Sequence, residues 1–227
     1  LTLILLLIAC NQNISTAGIP KVDPVQAVSN NLKWEKNDKT ARKIISDSLI
    51  FYSDSLYSDL KLHFTKISKH EFQTYKQKYK TGCVLDSGNF ISGSNLYVSR
   101  HCDKICETYL SEKTTNRKML IPSNYDAGIL AMLLSPTCNK LLVCSSYDGP
   151  DYSNYYENRA EIFVFKVSTG TGLKGIKPAF KFYTKNWSIE DLTWVSDKTI
   201  ALKTYEETKS GDGGGVLYTY YKADLYK

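Results

Sequence analysis

Two stretches of this chain combine acids with tyrosines at a density that suits recognition chemistry. The first is Tyr147-Asp148-Gly149-Pro150-Asp151-Tyr152-Ser153-Asn154-Tyr155-Tyr156-Glu157-Asn158-Arg159. The second is Tyr205-Glu206-Glu207-Thr208-Lys209-Ser210-Gly211-Asp212-Gly213-Gly214-Gly215. Tyrosine joins a large contact area to one polar atom at little rotamer cost, and loops this long are uncommon without a use. The expected binding residues are Asp148, Asp151, Tyr152, Tyr155, Tyr156, Glu206, Glu207 and Asp212. They are expected to meet a protein or small-molecule partner. The acids lack the ordered spacing of a calcium loop, so no metal is expected among them. Gly211–Gly215 lacks the lysine and following helix of a phosphate loop and reads as a hairpin tip.

His101-Cys102-x-x-x-Cys106 is the one cluster with metal or nucleophile character. Structural zinc wants four ligands, and the only other histidines, His63 and His70, lie upstream. Neighbours on a strand point to opposite faces, which disfavours a Cys–His couple. Cys102 and Cys106 are therefore read as a possible disulfide across a turn. No G-x-S-x-G, H-E-x-x-H or dinucleotide-binding fingerprint occurs. No catalytic residue and no cofactor is expected. An alternative keeps the acids Asp148, Asp151, Glu206 and Asp212 as the carboxylates of an exported hydrolase.

The elements that position these loops read as strands. The 227 residues suffice for one domain with a sizeable core, and the 17 tyrosines, with abundant Val, Ile, Thr and Phe, lean towards sheet. The formal net charge is +6, but the basic residues are interspersed with acids and apolar residues. Without a clustered Lys/Arg surface or a recognisable module, no nucleic-acid partner is expected. Leu60–Ile67 alternates at period two, a strand pattern. Ser68-Lys69-His70-Glu71 then forms a capping box, and Phe72, Tyr75 and Tyr79 make the stripe of one short helix near 68–79.

From residue 82 the chain repeats itself. Leu96-Tyr97-Val98, Leu141-Leu142-Val143 and Ile200-Ala201-Leu202 align as the second strand of three copies. Each is followed by a loop and a third strand, and Arg117–Ile121 and Ala179–Thr184 supply a fourth in two of them. Phe163, Phe165 and Val167 point one way and Ile162 and Val164 the other, as in a strand covered on both faces. The expected fold is mainly β, of antiparallel sheet repeats, and propeller-like in an incomplete or small form. A β-sandwich or a twisted meander closed by residues 41–81 stays open. The two long loops would then leave one rim.

Two resemblances add to this. Residues 1–9, LTLILLLIA, form an apolar run too short to span a bilayer. It closes on Leu7-Ile8-Ala9-Cys10, followed by Asn11-Gln12-Asn13, which resembles the lipobox of bacterial lipoproteins. The resemblance implies that Cys10 is lipidated and becomes the first mature residue. It further implies membrane attachment through Cys10 and a place in the bacterial cell envelope, on the periplasmic or surface face of the outer membrane. Acyl chains contribute about 0.8 kcal/mol per buried CH₂, and several together anchor a domain. Residues 10–40 then read as a flexible tether and 41–227 as a single β-rich domain, strand plus helix over 41–81 and repeated meanders over 82–227. The Ser135-Pro136…Leu141-Leu142-Val143 turn and the Glu161–Phe165 strand resemble blades of WD-repeat and Tol-system propellers, over residues 128–205. A further alternative is a purely structural envelope lipoprotein.

Overall fold

Alternating apolar residues in the C-terminal two-thirds of the chain build strands whose two faces must both be covered. The computed structural model describes residues 42–46, 49–83, 94–103, 106–123, 125, 128–147, 157–208 and 215–226. Cys10 and the expected tether lie outside these residues. The strands are β1 (Arg42–Ser46), β2 (Leu49–Tyr52), β3 (Ser58–Asp59), β4 (Lys61–Lys66), β5 (Leu96–Cys102), β6 (Cys106–Glu112) and β7 (Lys118–Leu120). They continue with β8 (Ala131–Leu134), β9 (Lys140–Ser146), β10 (Ala160–Val167), β11 (Ile176–Thr184), β12 (Ser188–Ser196), β13 (Thr199–Thr208) and β14 (Gly215–Tyr226). The one α-helix among the described residues, α1, spans Lys69–Lys78.

Three sheets result: sheet I in the order β1-β2-β7-β6-β5, sheet II β3-β11-β10-β9-β8, and sheet III β12-β13-β14-β4. Most pairings are antiparallel; β2 on β7 and β3 on β11 are parallel. The fold is mainly β, with antiparallel sheets and one short helix. A second-third-fourth strand order recurs as β5-β6-β7, β9-β10-β11 and β13-β14-β4, the last borrowing its outer strand from upstream in the chain. Beyond the strand and helix expected in residues 41–81, this region also supplies β1, β2 and β3, which extend sheets I and II at their outer edges.

Strand parity decides the layering. On β10, Phe163, Phe165 and Val167 pack with Ile50, Leu110 and Met119 of sheet I. Ile162 and Val164 pack instead with Leu192, Trp194, Ile200 and Leu202 of sheet III. β9 divides the same way, Leu141 and Val143 against Leu142 and Cys144. Sheet II is thus the middle layer between two cores. A fully buried side chain of this kind contributes about 1.5–3 kcal/mol.

The Ser135–Lys140 turn is built as its sequence requires. Ser135 N donates to Lys140 O at 2.8 Å and Cys138 N donates to Ser135 O at 2.8 Å. Cys138 takes φ 63° there, and a disulfide joins it to Cys83. Thr137 N donates to Asp197 Oδ1 at 3.1 Å, which ties this turn to the β12–β13 turn of sheet III. α1 is capped by Ser68 and Glu71 in a reciprocal box and rests on sheet III through Phe72, whose ring centroid lies 5.6 Å from that of Tyr220.

Candidate functional site

The inner face of sheet II turns polar towards one end, and there it parts from sheet I. Across β9, β10 and β11 the rows Leu141–Phe165–Pro178 and Val143–Phe163–Lys181 give way to Ser145–Glu161–Tyr183. Beside this last row opens a cavity of about 840 Å³. Its walls come from Tyr52 of β2, Asp54 and Tyr57 in the turn before β3, and Thr108 of β6. The segment after β7, with Tyr125 and Gly128, and the row of Glu161, Phe163 and Tyr183 close it. Glu157 and Asn158, the return leg of the first Tyr-rich loop, stand at its edge.

Glu161 is 1% exposed, a buried carboxylate in an aromatic setting. Burial of a charge is costly and is kept where partners or function require it. Tyr57 is 6% exposed, and its hydroxyl has no hydrogen-bond partner among the described residues. The buried Ser145 Oγ, cross-strand neighbour of Glu161, is likewise without a partner among them. Tyr52 donates its hydroxyl to Ile176 O at 2.8 Å, and Tyr125 donates to Asn158 O at 2.9 Å while stacking on Tyr147. Tyr57 meets the rings of Phe163 and Phe165 edge-on, at 5.2 and 5.6 Å between centroids. The aromatic walls are therefore held in place by contacts among themselves.

Tyr183 donates to Asp54 Oδ1 at 2.6 Å, and the Lys181 ammonium pairs with the same carboxylate. Burial, then the Asp54 contact, pushes the Tyr183 hydroxyl well above the ordinary tyrosine range. Burial above all does the same to Tyr57. Both remain O–H donors at any ordinary pH. Partial burial alone would raise the Asp54 carboxyl, but the hydrogen bonds from Lys181 and Tyr183 outweigh it and hold it below 3.8. A lowered folded-state value stabilises the fold above the unfolded value and ceases to do so as pH falls through the folded one. The stability difference between the native chain and Asp54→Asn should therefore be level above about pH 5 and shrink from about pH 4 downward. Asp54 is 56% exposed, so the effect should stay under about 1 kcal/mol. Denaturation midpoints across pH 2–7 check it; a gap that widens in acid contradicts the pairing.

Glu107 borders the cavity, yet its carboxylate accepts from Tyr109, two residues on along the same face of β6. That face is opposite to Thr108 and the buried Leu110. Among the described residues no group of three or more His, Cys, Asp or Glu side chains could hold a metal ion.

Of the residues singled out from sequence, Asp148, Asp151, Tyr152, Tyr155, Tyr156 and Asp212 lie outside the described residues. Glu206 is exposed on β13, opposite Leu217, and does not line the cavity. Glu207 is the next residue of β13, opposite Val216. The bases of the two loops do stand at one end of the sheets. Tyr147 N donates to Arg159 O at 2.9 Å, Ser188 Oγ donates to Tyr147 O at 2.8 Å, and Ser188 pairs with Tyr205. A disulfide joins Cys102 to Cys106 across the β5–β6 turn, and Cys106 also borders the cavity. Cys144 is free and buried.

The cavity residues Tyr52, Asp54, Tyr57, Tyr125, Glu161 and Tyr183 were not singled out from sequence. One signal for Glu161 was present: it shares parity with Phe163, Phe165 and Val167, so a strand that buries those buries it too.

These features define a class: a mainly β chain of three stacked sheets with a ligand-sized, aromatic and acidic cavity between two of them. No protein-family model matches the chain. No curated protein and no solved structure matches it either.

Proposed function

We propose that this chain is a lipid-anchored protein of the bacterial cell envelope that binds a ligand, without turning it over, in the cavity between sheets I and II. The observation that carries the binding reading is the cavity itself. Its volume falls in the range of small-molecule sites, and a buried carboxylate and a buried hydroxyl without a partner among the described residues stand in its wall. The first Tyr-rich loop returns to the sheet at the cavity edge through Glu157 and Asn158. This supports a role for Asp148, Asp151, Tyr152, Tyr155 and Tyr156 in covering a bound ligand or meeting a partner. The second loop, with Glu206, Glu207 and Asp212, would extend the same rim. Anchorage rests on the Leu7-Ile8-Ala9-Cys10 lipobox. The recurring strand order of the three sheets supports kinship in architecture with propeller blades. Binding rather than hydrolysis is favoured because Asp54, the acid that faces Glu161 across the cavity among the described residues, is engaged by Lys181 and Tyr183.

A thermal-shift screen of the full chain against amines, carboxylic acids, sugars and nucleosides tests this reading. At least one class should raise the unfolding midpoint by several degrees, since a ligand at 100 times its Kd contributes about 2.7 kcal/mol. The same compounds should lose that effect in Thr108→Trp, which fills the cavity from the inner face of β6. A screen with no shift, or shifts that persist in Thr108→Trp, would sink the reading.

A further inference from the structure

We infer that this chain pairs with a second copy of itself through the edge of β14, along Gly215–Thr219, about a two-fold axis at Leu217. The inference is independent of the cavity and of the lipid anchor.

Unequal strand lengths create the edge. β14 pairs with β13 along Gly215–Asp224 but with β4 only along Tyr221–Tyr226. Ile67 N donates to Tyr220 O at 2.9 Å and closes that second ladder. The stretch from Gly215 to Thr219 therefore has a strand on one side only among the described residues. Successive residues of an antiparallel strand aim their backbone groups to alternate sides. Because Tyr220 faces β4, Val216 and Tyr218 aim their N–H and C=O groups outward, whereas Leu217 and Thr219 aim theirs at β13. Val216, Leu217 and Tyr218 are 48%, 56% and 45% exposed, so the open edge is also an apolar one.

Other sheet edges carry the devices that prevent strand addition. β5 has Arg100 and His101, and β4 has Lys61, His63 and Lys66. β12 has Glu190, Asp191 and two shifts of register. On β8 the Leu133 and Leu134 carbonyls accept from Trp194 Nε1 and the Tyr79 hydroxyl. By contrast, Gly215-Val216-Leu217-Tyr218-Thr219-Tyr220-Tyr221 has no charge and no proline, and it runs in unbroken register with β13.

A second copy fits this edge through its own symmetry. The overhang is centred on Leu217, and a two-fold there sets Val216 of each copy against Tyr218 of the other. Those are the residues whose backbone groups point outward, so each such pair exchanges two N–H···O=C bonds. Leu217 then meets Leu217, and Thr219 meets Gly215, on the face opposite to Tyr218. A two-fold brings residues near its axis against their own kind, so any charge there would oppose itself, and this stretch has none. Moving the axis to Tyr218 would set Val216 against Tyr220, whose carbonyl already accepts from Ile67. The paired stretch is short against the about 1,200–2,000 Å² of a standard interface, so the dimer should be weak, with a Kd of about 10–100 µM.

Sedimentation equilibrium of the full chain carrying Cys10→Ser, which removes the anchoring thiol, tests the inference. A dimer should form, and Leu217→Lys, which sets two like charges on the axis from an exposed position, should raise its Kd about tenfold or more. Tyr218→Pro removes an outward N–H from each copy without touching the β13 ladder and should weaken the dimer likewise. Should Tyr218→Pro fail to fold, as judged by its denaturation curve, Leu217→Lys still decides. Under mild oxidation Leu217→Cys should link two chains, since facing residues of a non-hydrogen-bonded pair stand about 4.5 Å apart at Cα. Val216→Cys and Tyr218→Cys should each self-link about tenfold more slowly, their twins lying diagonally across the axis. A chain that stays monomeric up to about 1 mM leaves the edge to an extended segment of another protein and overturns the inference. A dimer indifferent to Leu217→Lys, or one that links faster through Val216→Cys or Tyr218→Cys, overturns it as well.

Discussion

Replacing Cys83 and Cys138 together by alanine should lower the unfolding free energy by about 4 kcal/mol. The two cysteines are separated by 55 positions, and closing a loop of that length removes much of the freedom of the unfolded chain. The bond also holds the segment after α1 to the β8–β9 turn, where Gly82 N donates to Pro136 O at 2.9 Å. Both sulfurs are packed in the core between sheets I and II, so their removal forfeits some contact area as well. The Cys102–Cys106 bridge spans only 4 positions, and the same argument gives about 2 kcal/mol for its loss. Guanidinium denaturation of the two double-alanine variants under identical conditions decides the matter. An equal or reversed order would show that loop length does not govern the difference. Cys144 does not confuse the experiment. It is fully buried, and burial first, then the Glu161 charge, pushes its thiol far above the usual range, so it stays protonated and inert in the folded state.

Trp194→Ala should cost about 3–5 kcal/mol, the range for deleting a large buried ring. Trp194 is among the largest fully buried side chains and fills the core between sheets II and III. Its indole Nε1 donates to Leu133 O at 3.1 Å, a bond from β12 of sheet III to β8 of sheet II. Alanine therefore opens a cavity and also leaves a carbonyl of β8 without that donor. Trp194→Phe keeps most of the volume and loses the hydrogen bond, worth about 1 kcal/mol, so it should cost less than half as much. Urea unfolding curves with unchanged slope would report this as a loss of stability rather than of compactness. A cost under about 1 kcal/mol for Trp194→Ala would mean that the two sheets are not held together there.

Both predictions concern the seams between layers, and the layers were partly legible in the chain itself. Period-two alternation in Leu60–Ile67 appears as β4, and the run Glu161–Val167, apolar on both parities, appears as β10, a strand covered on both faces. The capping box at Ser68-x-x-Glu71 starts α1 because it satisfies backbone donors locally, with no help from distant residues. Strands stand near Leu96, Leu141 and Ile200 as β5, β9 and β13; β9 and β13 each pair with the strand before them, whereas β5 is the edge of sheet I among the described residues. The parallel edge strands β2 and β3 were not legible. Leu49–Tyr52 and Ser58–Asp59 are too short for a periodic signal, and their partners lie far along the chain.

The candidate site shows the same division more sharply. Sequence by itself determined that this is a strand-rich chain with a short capped helix, and that two Tyr- and acid-rich loops interrupt its strands. Those are consequences of local spacing, turn chemistry and side-chain parity. Only the tertiary structure decided that Tyr52, Asp54 and Tyr57 from the early strands face Glu161 and Tyr183 from the middle sheet across one cavity. No local rule fixes which sheet stacks on which. That choice belongs to the burial of Phe163, Phe165 and their partners, which draws sheets I and II together and leaves the polar row beyond them around an open space.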